Sequence, residues 1–142
     1  MNKEDYVSME VAKLLKEKEF NEKCNHYWWQ HNDDTRLDSE GFRFTREWIE
    51  VNNDCYDGVW LAPTLYEAAK WLRNEHGIYV TIISSPITWL YKNNDGSYIT
   101  HFPVITYRDT EGKIKMSYHQ GMNDSEYEKA FNYAILEALK LI

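Results

Sequence analysis

Five side chains in the segment from Cys24 to Asp34 are of types that bind metal ions. Cys24 and His26 alternate along a strand-like segment and share one face, whereas His31 falls on the other face. Asp33 and Asp34 follow. A structural zinc site needs four ligands, and no second Cys–His pair occurs at finger-like spacing. We therefore expect an ordinary strand with solvated polar ends, and neither a metal nor a cofactor.

Three residues of the second half could form a nucleophile and its base. His101 and His119 are expected on neighbouring strands, and Ser117 lies two residues before His119. No nucleophile elbow surrounds this serine, and the chain has no phosphate-binding glycine-rich loop. Catalysis is therefore the alternative rather than the main expectation. The enzyme would use a cleft among the histidines and three tryptophans, Trp28, Trp29 and Trp89.

A second alternative is nucleic-acid binding through the strand at residues 113–119. Lys113, Lys115 and His119 would line one strand face next to tyrosines, a pattern that can bind single strands through stacking and phosphate contacts. The order helix, three strands, helix over residues 63–142 also resembles a double-stranded-RNA-binding domain. Those domains carry lysines where the last helix begins, whereas this chain has Asp124 and Glu128 there. A phosphate would meet carboxylates, so we do not expect nucleic acid as the partner.

Aromatic side chains are numerous for a chain of this length. It has 6 Trp, 11 Tyr and 5 Phe in 142 residues. Trp28 and Trp29 fall on opposite faces of one strand, and three helices cannot cover every sheet face. We expect at least one of these two rings to be partly exposed, near Tyr27 or Trp48. Interface cores favour such residues, so the sequence predicts a binding surface at Tyr27, Trp28, Trp29 and Trp48.

Local signals mark the first two helices. The first is predicted over Val7–Lys18, with Ser8 as its N-cap. The second begins at a capping box formed by Thr64 and Glu67 and ends at Gly77, the residue type that best accepts a positive φ.

The third helix carries the clearest apolar stripe. It is predicted to begin at a capping box of Ser125 and Glu128. Its apolar residues recur at three- and four-residue steps: Tyr127, Ala130, Phe131, Ala134, Ile135, Ala138, Leu139 and Ile142. The alanines leave room for close approach to a sheet.

Strands are predicted between these helices. The predicted segments are Cys24–His31, Phe42–Val51, Val59–Ala62, Ile78–Ile83, Ile87–Lys92, Ser97–Tyr107 and Lys113–His119. Ile78–Ile83 is expected to be buried, and residues 32–41 are expected to form a loop. Pro103 predicts a bulge or an edge position. Ile114, Met116 and Tyr118 alternate with polar residues, which predicts an apolar inner face.

Length and charge limit the class of protein. The chain is long enough for one core, so Cys24 and Cys55 are not needed as a disulfide. The net charge is −7, with 8 Lys/Arg against 14 Asp/Glu in residues 1–62. No apolar run has the length of a membrane span, and no leader precedes Tyr6. We expect a cytoplasmic protein that binds no membrane.

Three segments carry a resemblance to a group of proteins. They are Tyr6-Val7-Ser8 with Val11–Leu15, then Ala62-Pro63-Thr64 with Ala68–Arg73 and His76-Gly77-Ile78, and the ending with Glu128, Ala130, Glu137–Lys140 and Ile142. They resemble small uncharacterised proteins of gut bacteria and their phages and prophages. These proteins have no established activity, so the resemblance implies only a small intracellular protein of mobile-element type.

The sequence predicts one α+β domain over residues 1–142. In it a mostly antiparallel sheet packs helices on one face, in the order helix, strands, helix, strand meander, helix. The expected function is that of a non-catalytic accessory protein of phage or prophage type. It would act by binding a macromolecular partner, either another protein or a second copy of the chain.

Overall fold

The computed structural model describes residues 3–31, 34–39, 58–86, 99–118 and 126–142. In these ranges a 3-10 turn at Lys3–Asp5 precedes three helices, α1 (Met9–Glu17), α2 (Leu65–His76) and α3 (Tyr127–Leu139). The strands are β1 (His26–His31), β2 (Asp34–Ser39), β3 (Val59–Leu61), β4 (Tyr79–Pro86), β5 (Ile99–Arg108) and β6 (Ile114–Tyr118). The α+β class is therefore confirmed, and the described strand pairs are antiparallel. The predicted strands Phe42–Val51 and Ile87–Lys92 lie outside the described residues.

The described strands form two three-stranded sheets, ordered β2-β1-β3 and β4-β5-β6. The chain divides into two compact units, Met1–Glu67 and Ala68–Ile142. The first sheet belongs to the first unit and the second sheet to the second unit. The boundary falls within α2. One domain over residues 1–142 stays a prediction.

Helix α1 begins and ends through its own local chemistry. The Ser8 hydroxyl accepts a hydrogen bond from the Val11 N–H at 3.3 Å, which confirms the predicted N-cap. At the other end Glu19 adopts φ +66°, and the Phe20 N–H donates to the Leu15 carbonyl at 2.9 Å. This is the usual left-handed helix ending, made here by a glutamate instead of a glycine.

Residues 34–39, expected in a loop, form strand β2. They pair along the whole of β1, with Trp28 opposite Leu37 and Trp29 opposite Arg36. Of the six, Leu37 alone is buried. Among the described strands β2 lies at an edge of its sheet. A strand with one buried apolar residue has the composition of a loop, because its backbone partner rather than its side chains makes it a strand.

Helix α2 begins as predicted. The Thr64 N–H donates to the Glu67 carboxylate at 3.0 Å and the Glu67 N–H donates to the Thr64 hydroxyl at 3.1 Å, which completes the capping box. Gly77 ends the helix at φ +65°, and the Ile78 N–H donates to the Leu72 carbonyl at 3.2 Å.

Helix α3 packs on strands β4 and β5. Its buried residues are Ala130, Ala134, Ile135, Leu136, Ala138 and Leu139, so the predicted stripe is confirmed over the middle of the helix. Tyr127 and Ile142, at the ends of the predicted stripe, are exposed. Glu126 occupies the N-cap position, where its side chain makes no capping hydrogen bond, and Ser125 lies outside the described residues.

Strands β4 and β6 differ from expectation in their burial. Tyr79 and Ile83 of β4 are exposed although the strand was predicted to be buried. Ile114, Met116 and Tyr118 of β6, predicted to face inward, are exposed as well. Alternation identifies which residues share a face, but a face becomes part of the core only where a second layer covers it. Helix α3 packs on β4 and β5 from one side.

Pro103 lies in the central strand of the second sheet without a bulge. The register of β4 and β5 continues through the pair Ile82–Pro103 without interruption. The described pairing of β5 with β6 begins one residue later, at Val104. Among the described residues, Pro103 therefore has a ladder partner on β4 alone. Proline has no N–H to donate, but the described pairing with β6 does not include this residue and is not interrupted.

Candidate interaction surface

The predicted aromatic site divides between core and surface. Tyr27 is fully buried and Trp29 is buried, so both rings belong to the core of the first unit instead of an accessible patch. Trp28 is half-buried, which confirms that one of the two tryptophans is partly exposed. Trp48 lies outside the described residues. That these residues bind a partner stays a prediction.

The half-buried Trp28 is fixed within the first unit. Its indole N–H donates to the Val7 carbonyl at 2.8 Å. It lies opposite Trp60 across β1 and β3, and the Lys13 ammonium stands 4.7 Å from the centre of the Trp60 ring. Although it is partly exposed, Trp28 thus belongs to the layer in which α1 packs against the sheet.

The buried Trp29 lies on the other face of β1. Its indole N–H donates to the Asp38 carboxylate, and the Arg36 guanidinium stands 5.8 Å from the ring centre. Both of these contacts come from β2, the strand that the sequence patterns did not predict.

Two titratable rings stack near Glu67 in the first unit. The centroids of Tyr6 and His26 are 4.2 Å apart. Burial lowers the pKa of His26, and the Glu67 carboxylate opposes that change in pKa. Burial, Glu67 and Asp5 all raise the pKa of Tyr6. Both rings are therefore held neutral near pH 7, which suits packing better than acid–base chemistry.

One face of the second sheet is directed away from α3, and we call it the outer face. Its rows follow from the strand register: Tyr79 and Met116 flank Thr106, Thr81 and Tyr118 flank Val104, Ile83 adjoins Phe102, and Ile114 adjoins Arg108. Neighbours across an antiparallel ladder point to the same side, so these residues share one surface.

The outer face exposes large apolar side chains at both of its flanks. Ile114 is 65%, Tyr118 58%, Met116 56% and Tyr79 52% exposed, although Val104 between them is buried. Scattered exposed apolar residues are common, whereas neighbouring ones on a single face make that face a candidate interaction site. The alternation in the sequence correctly placed the three apolar residues of β6 on one face. It did not show whether a further layer of the fold covers that face.

On the α3 side of the same sheet, two polar residues meet across the strands. The Ser84 hydroxyl and His101 Nδ1 are 2.6 Å apart, and the His101 ring contacts the edge of Tyr127 with centroids 5.4 Å apart. A serine beside a histidine meets the first requirement for nucleophilic catalysis. Within the described ranges, no hydrogen bond orients the second ring nitrogen of His101. The sequence-predicted partner Ser117 lies on β6, and His119 is outside these ranges.

The lysines proposed to bind phosphates are accompanied by carboxylates. Lys113 Nζ lies 3.7 Å from Glu111 Oε2, and Lys115 Nζ lies 3.9 Å from Asp109 Oδ2. Exposed pairs of this kind contribute little to stability, but each carboxylate would repel a phosphate group at the same place. This arrangement disfavours nucleic acid on β6.

Metal-binding groups do not cluster in the part of the chain that the structure describes. In those residues no set of three His, Cys, Asp or Glu side chains could hold an ion. Cys24 is a buried free thiol whose sulfur lies 3.7 Å from the His26 carbonyl oxygen. Cys55, His31's side chain and Asp33 lie outside what is described.

Comparisons with known proteins leave the surface to be interpreted from its own residues. Neither the protein-family models, nor curated proteins, nor solved structures give a match to this chain. None of the helices in the described ranges is long and apolar enough to cross a membrane.

Proposed function

We propose that this protein is a non-catalytic accessory protein, of mobile-element type, that binds another protein through the outer face of its second sheet. The observation that carries the proposal is the exposure of Tyr79, Ile114, Met116 and Tyr118 on one face. Tyrosine and methionine are enriched in protein interfaces, and burying such a row removes apolar area from water.

The charge of the second unit supports a protein partner. Residues 68–142 carry eight Lys/Arg and eight Asp/Glu, so the unit has no net charge. A neutral unit neither attracts phosphate backbones nor repels an apolar protein surface. Arg108 is the one basic residue among the ten that define the outer face.

A capture experiment with matched variants tests the proposal. The double variant Met116→Ser/Tyr118→Ser removes two apolar side chains from the outer face. The control Tyr66→Ser/Tyr133→Ser removes two exposed tyrosines from helices α2 and α3. Both sets of substitutions are at exposed sites and should change the free energy of unfolding by about 0.5 kcal/mol or less per site.

The expected result is selective loss of one partner. Tagged wild type and the Tyr66→Ser/Tyr133→Ser control should retain the same protein from a lysate of the native host, in stoichiometric amount, and Met116→Ser/Tyr118→Ser should not retain it. Light scattering of each purified variant separates a second copy of the chain from a different protein. Equal recovery by all three proteins would contradict the outer face as the binding site.

A second candidate function is acyl transfer, because Ser84 and His101 are within hydrogen-bond distance. The serine would be the nucleophile and the histidine its base. A fluorophosphonate probe should then label Ser84 in wild type and fail to label the variant His101→Gln. Absence of labelling in folded wild type would remove this candidate and leave the binding proposal intact.

A further inference from the structure

A cleft of about 440 Å³ lies within the second unit, where β4 begins and β5 ends. Its walls include Tyr79, Thr106, Arg108, Ile114, Leu141 and Ile142. The volume falls in the usual range for small-molecule sites, which are mostly apolar with a few placed polar groups. The cleft adjoins one end of the outer face but has walls of its own from the turn after α2 and from the last residues.

The polar side chains in the walls are hydroxyls and basic groups. Tyr79, Thr106 and Tyr107 contribute hydroxyls, Arg108 and His76 are basic residue types, and no acidic side chain is among the described residues that line the cleft. The guanidinium has five N–H donors, and one of them binds the Gly112 carbonyl at 3.0 Å. This contact holds Arg108 at the cleft and leaves further donors for a ligand.

The turn after β5 keeps its own carboxylate occupied. Asp109 Oδ1 accepts hydrogen bonds from the N–H groups of Glu111 and Lys113, both at 2.9 Å. Asp109 Oδ2 faces Lys115 at 3.9 Å. Among the described residues, the ion pairs at this turn join Lys115 to Asp109 and Lys113 to Glu111, and neither pair includes Arg108.

We infer that the cleft binds a small monocarboxylate with an apolar body. The carboxylate accepts hydrogen bonds from the Arg108 guanidinium, whose planar donors match its two oxygens. The body of the ligand lies against Tyr79, Ile114 and Leu141. This inference does not depend on the proposed partner.

The test compares a charged probe with a neutral probe of the same ring system. Isotope-labelled protein is titrated with 2-naphthoate and with 2-naphthalenemethanol, and amide shifts are followed by NMR. Naphthoate should saturate shifts around Arg108, Ile114 and Leu141, and the alcohol should bind about tenfold more weakly. Shifts that never saturate, or equal affinity for the two probes, would overturn the inference.

Variants separate the cleft from its surroundings. Arg108→Gln should abolish the preference for naphthoate, and Lys113→Gln, which removes a cation of the same turn outside the lining, should keep it. Met116→Ser/Tyr118→Ser leaves the lining unchanged and should bind naphthoate as wild type does, so this inference and the proposed function fail separately. An unchanged preference in Arg108→Gln would show that the guanidinium does not hold the carboxylate.

Discussion

Single side chains in the first unit are fixed by polar contacts made inside a packed layer. Trp28 reaches the Val7 carbonyl, Trp29 reaches Asp38, and His26 lies against Tyr6. Each ring buries a large apolar body and still satisfies its polar tip, as buried indoles usually do. The residues that looked most like a binding site from the sequence are thus largely structural.

The pKa of His26 is a measurable consequence of this packing. It should lie below the ordinary value of 6.5, because burial disfavours the charged ring more than Glu67 favours it. The resulting stabilisation is fully present above pH 6.5 and is lost as pH falls through the lowered pKa, since the unfolded chain then binds the proton more readily. NMR titration of the ring protons, in native protein and in urea, measures both values. A native pKa equal to or above that in urea would contradict the burial.

Helix endings show how local chemistry sets the elements. Glu19, two residues after α1, and Gly77, the residue after α2, adopt the same left-handed conformation, with φ of +66° and +65°. For glycine this conformation costs little, whereas a side chain adds roughly 1 kcal/mol or more. A Cβ at Gly77 would meet no atom within 4 Å, so its substitution cost is conformational rather than steric.

Two reciprocal substitutions test this equivalence. Glu19→Gly should raise the free energy of unfolding by about 1 kcal/mol, and Gly77→Ala should lower it by about as much. Urea titrations of both variants and of wild type measure the changes. If both substitutions shift the stability in the same direction, left-handed strain is not what distinguishes the two positions.

Helix α3 should be the main source of stability in the second unit. Ile135 is fully buried in the helix that packs on β4 and β5. Replacing it with alanine should cost about 2–5 kcal/mol. The control Tyr133→Ala, at an exposed site two residues away, should cost about 0.5 kcal/mol or less. Equal losses in thermal and urea unfolding would show that the stripe does not form the core.

Elements with local signals could be predicted from the sequence, and those that depend on distant partners could not. The Thr64–Glu67 capping box and the Gly77 ending need a few neighbouring residues and were found. Strand β2 depends on its pairing with β1, and its polar composition is that of a loop. For β6 the alternation was right, but which layer covers each face is a property of the whole fold.

At the scale of the whole molecule, charge is distributed unevenly between the two units. The first carries eight Lys/Arg against fifteen Asp/Glu and so holds the entire net charge of −7. Net charge opposes association between protein surfaces, and the neutral unit carries the apolar outer face. The excess of acidic residues and the exposed apolar row thus lie in different parts of the sequence.

We expect the two units to unfold together, as a single domain would. Helix α2 has its capping box in one unit and continues into the other, so losing either unit removes part of its support. Four of the six tryptophans lie in residues 1–67. Ile135→Ala in the second unit should therefore shift the urea midpoint seen by tryptophan fluorescence as much as that seen by far-UV circular dichroism. A shift in circular dichroism alone would mean two independent domains.

Among the described strands β6 lies at one edge of its sheet, and this position has a consequence for aggregation. An exposed, β-prone row on an edge strand invites pairing with other copies, and lysines on such strands act against aggregation. Here Lys113 and Lys115 flank Ile114, and the next apolar residue is Met116. We expect these two charges to oppose aggregation of the protein. Lys113→Ser/Lys115→Ser should remain folded yet become turbid at concentrations where the wild type stays clear.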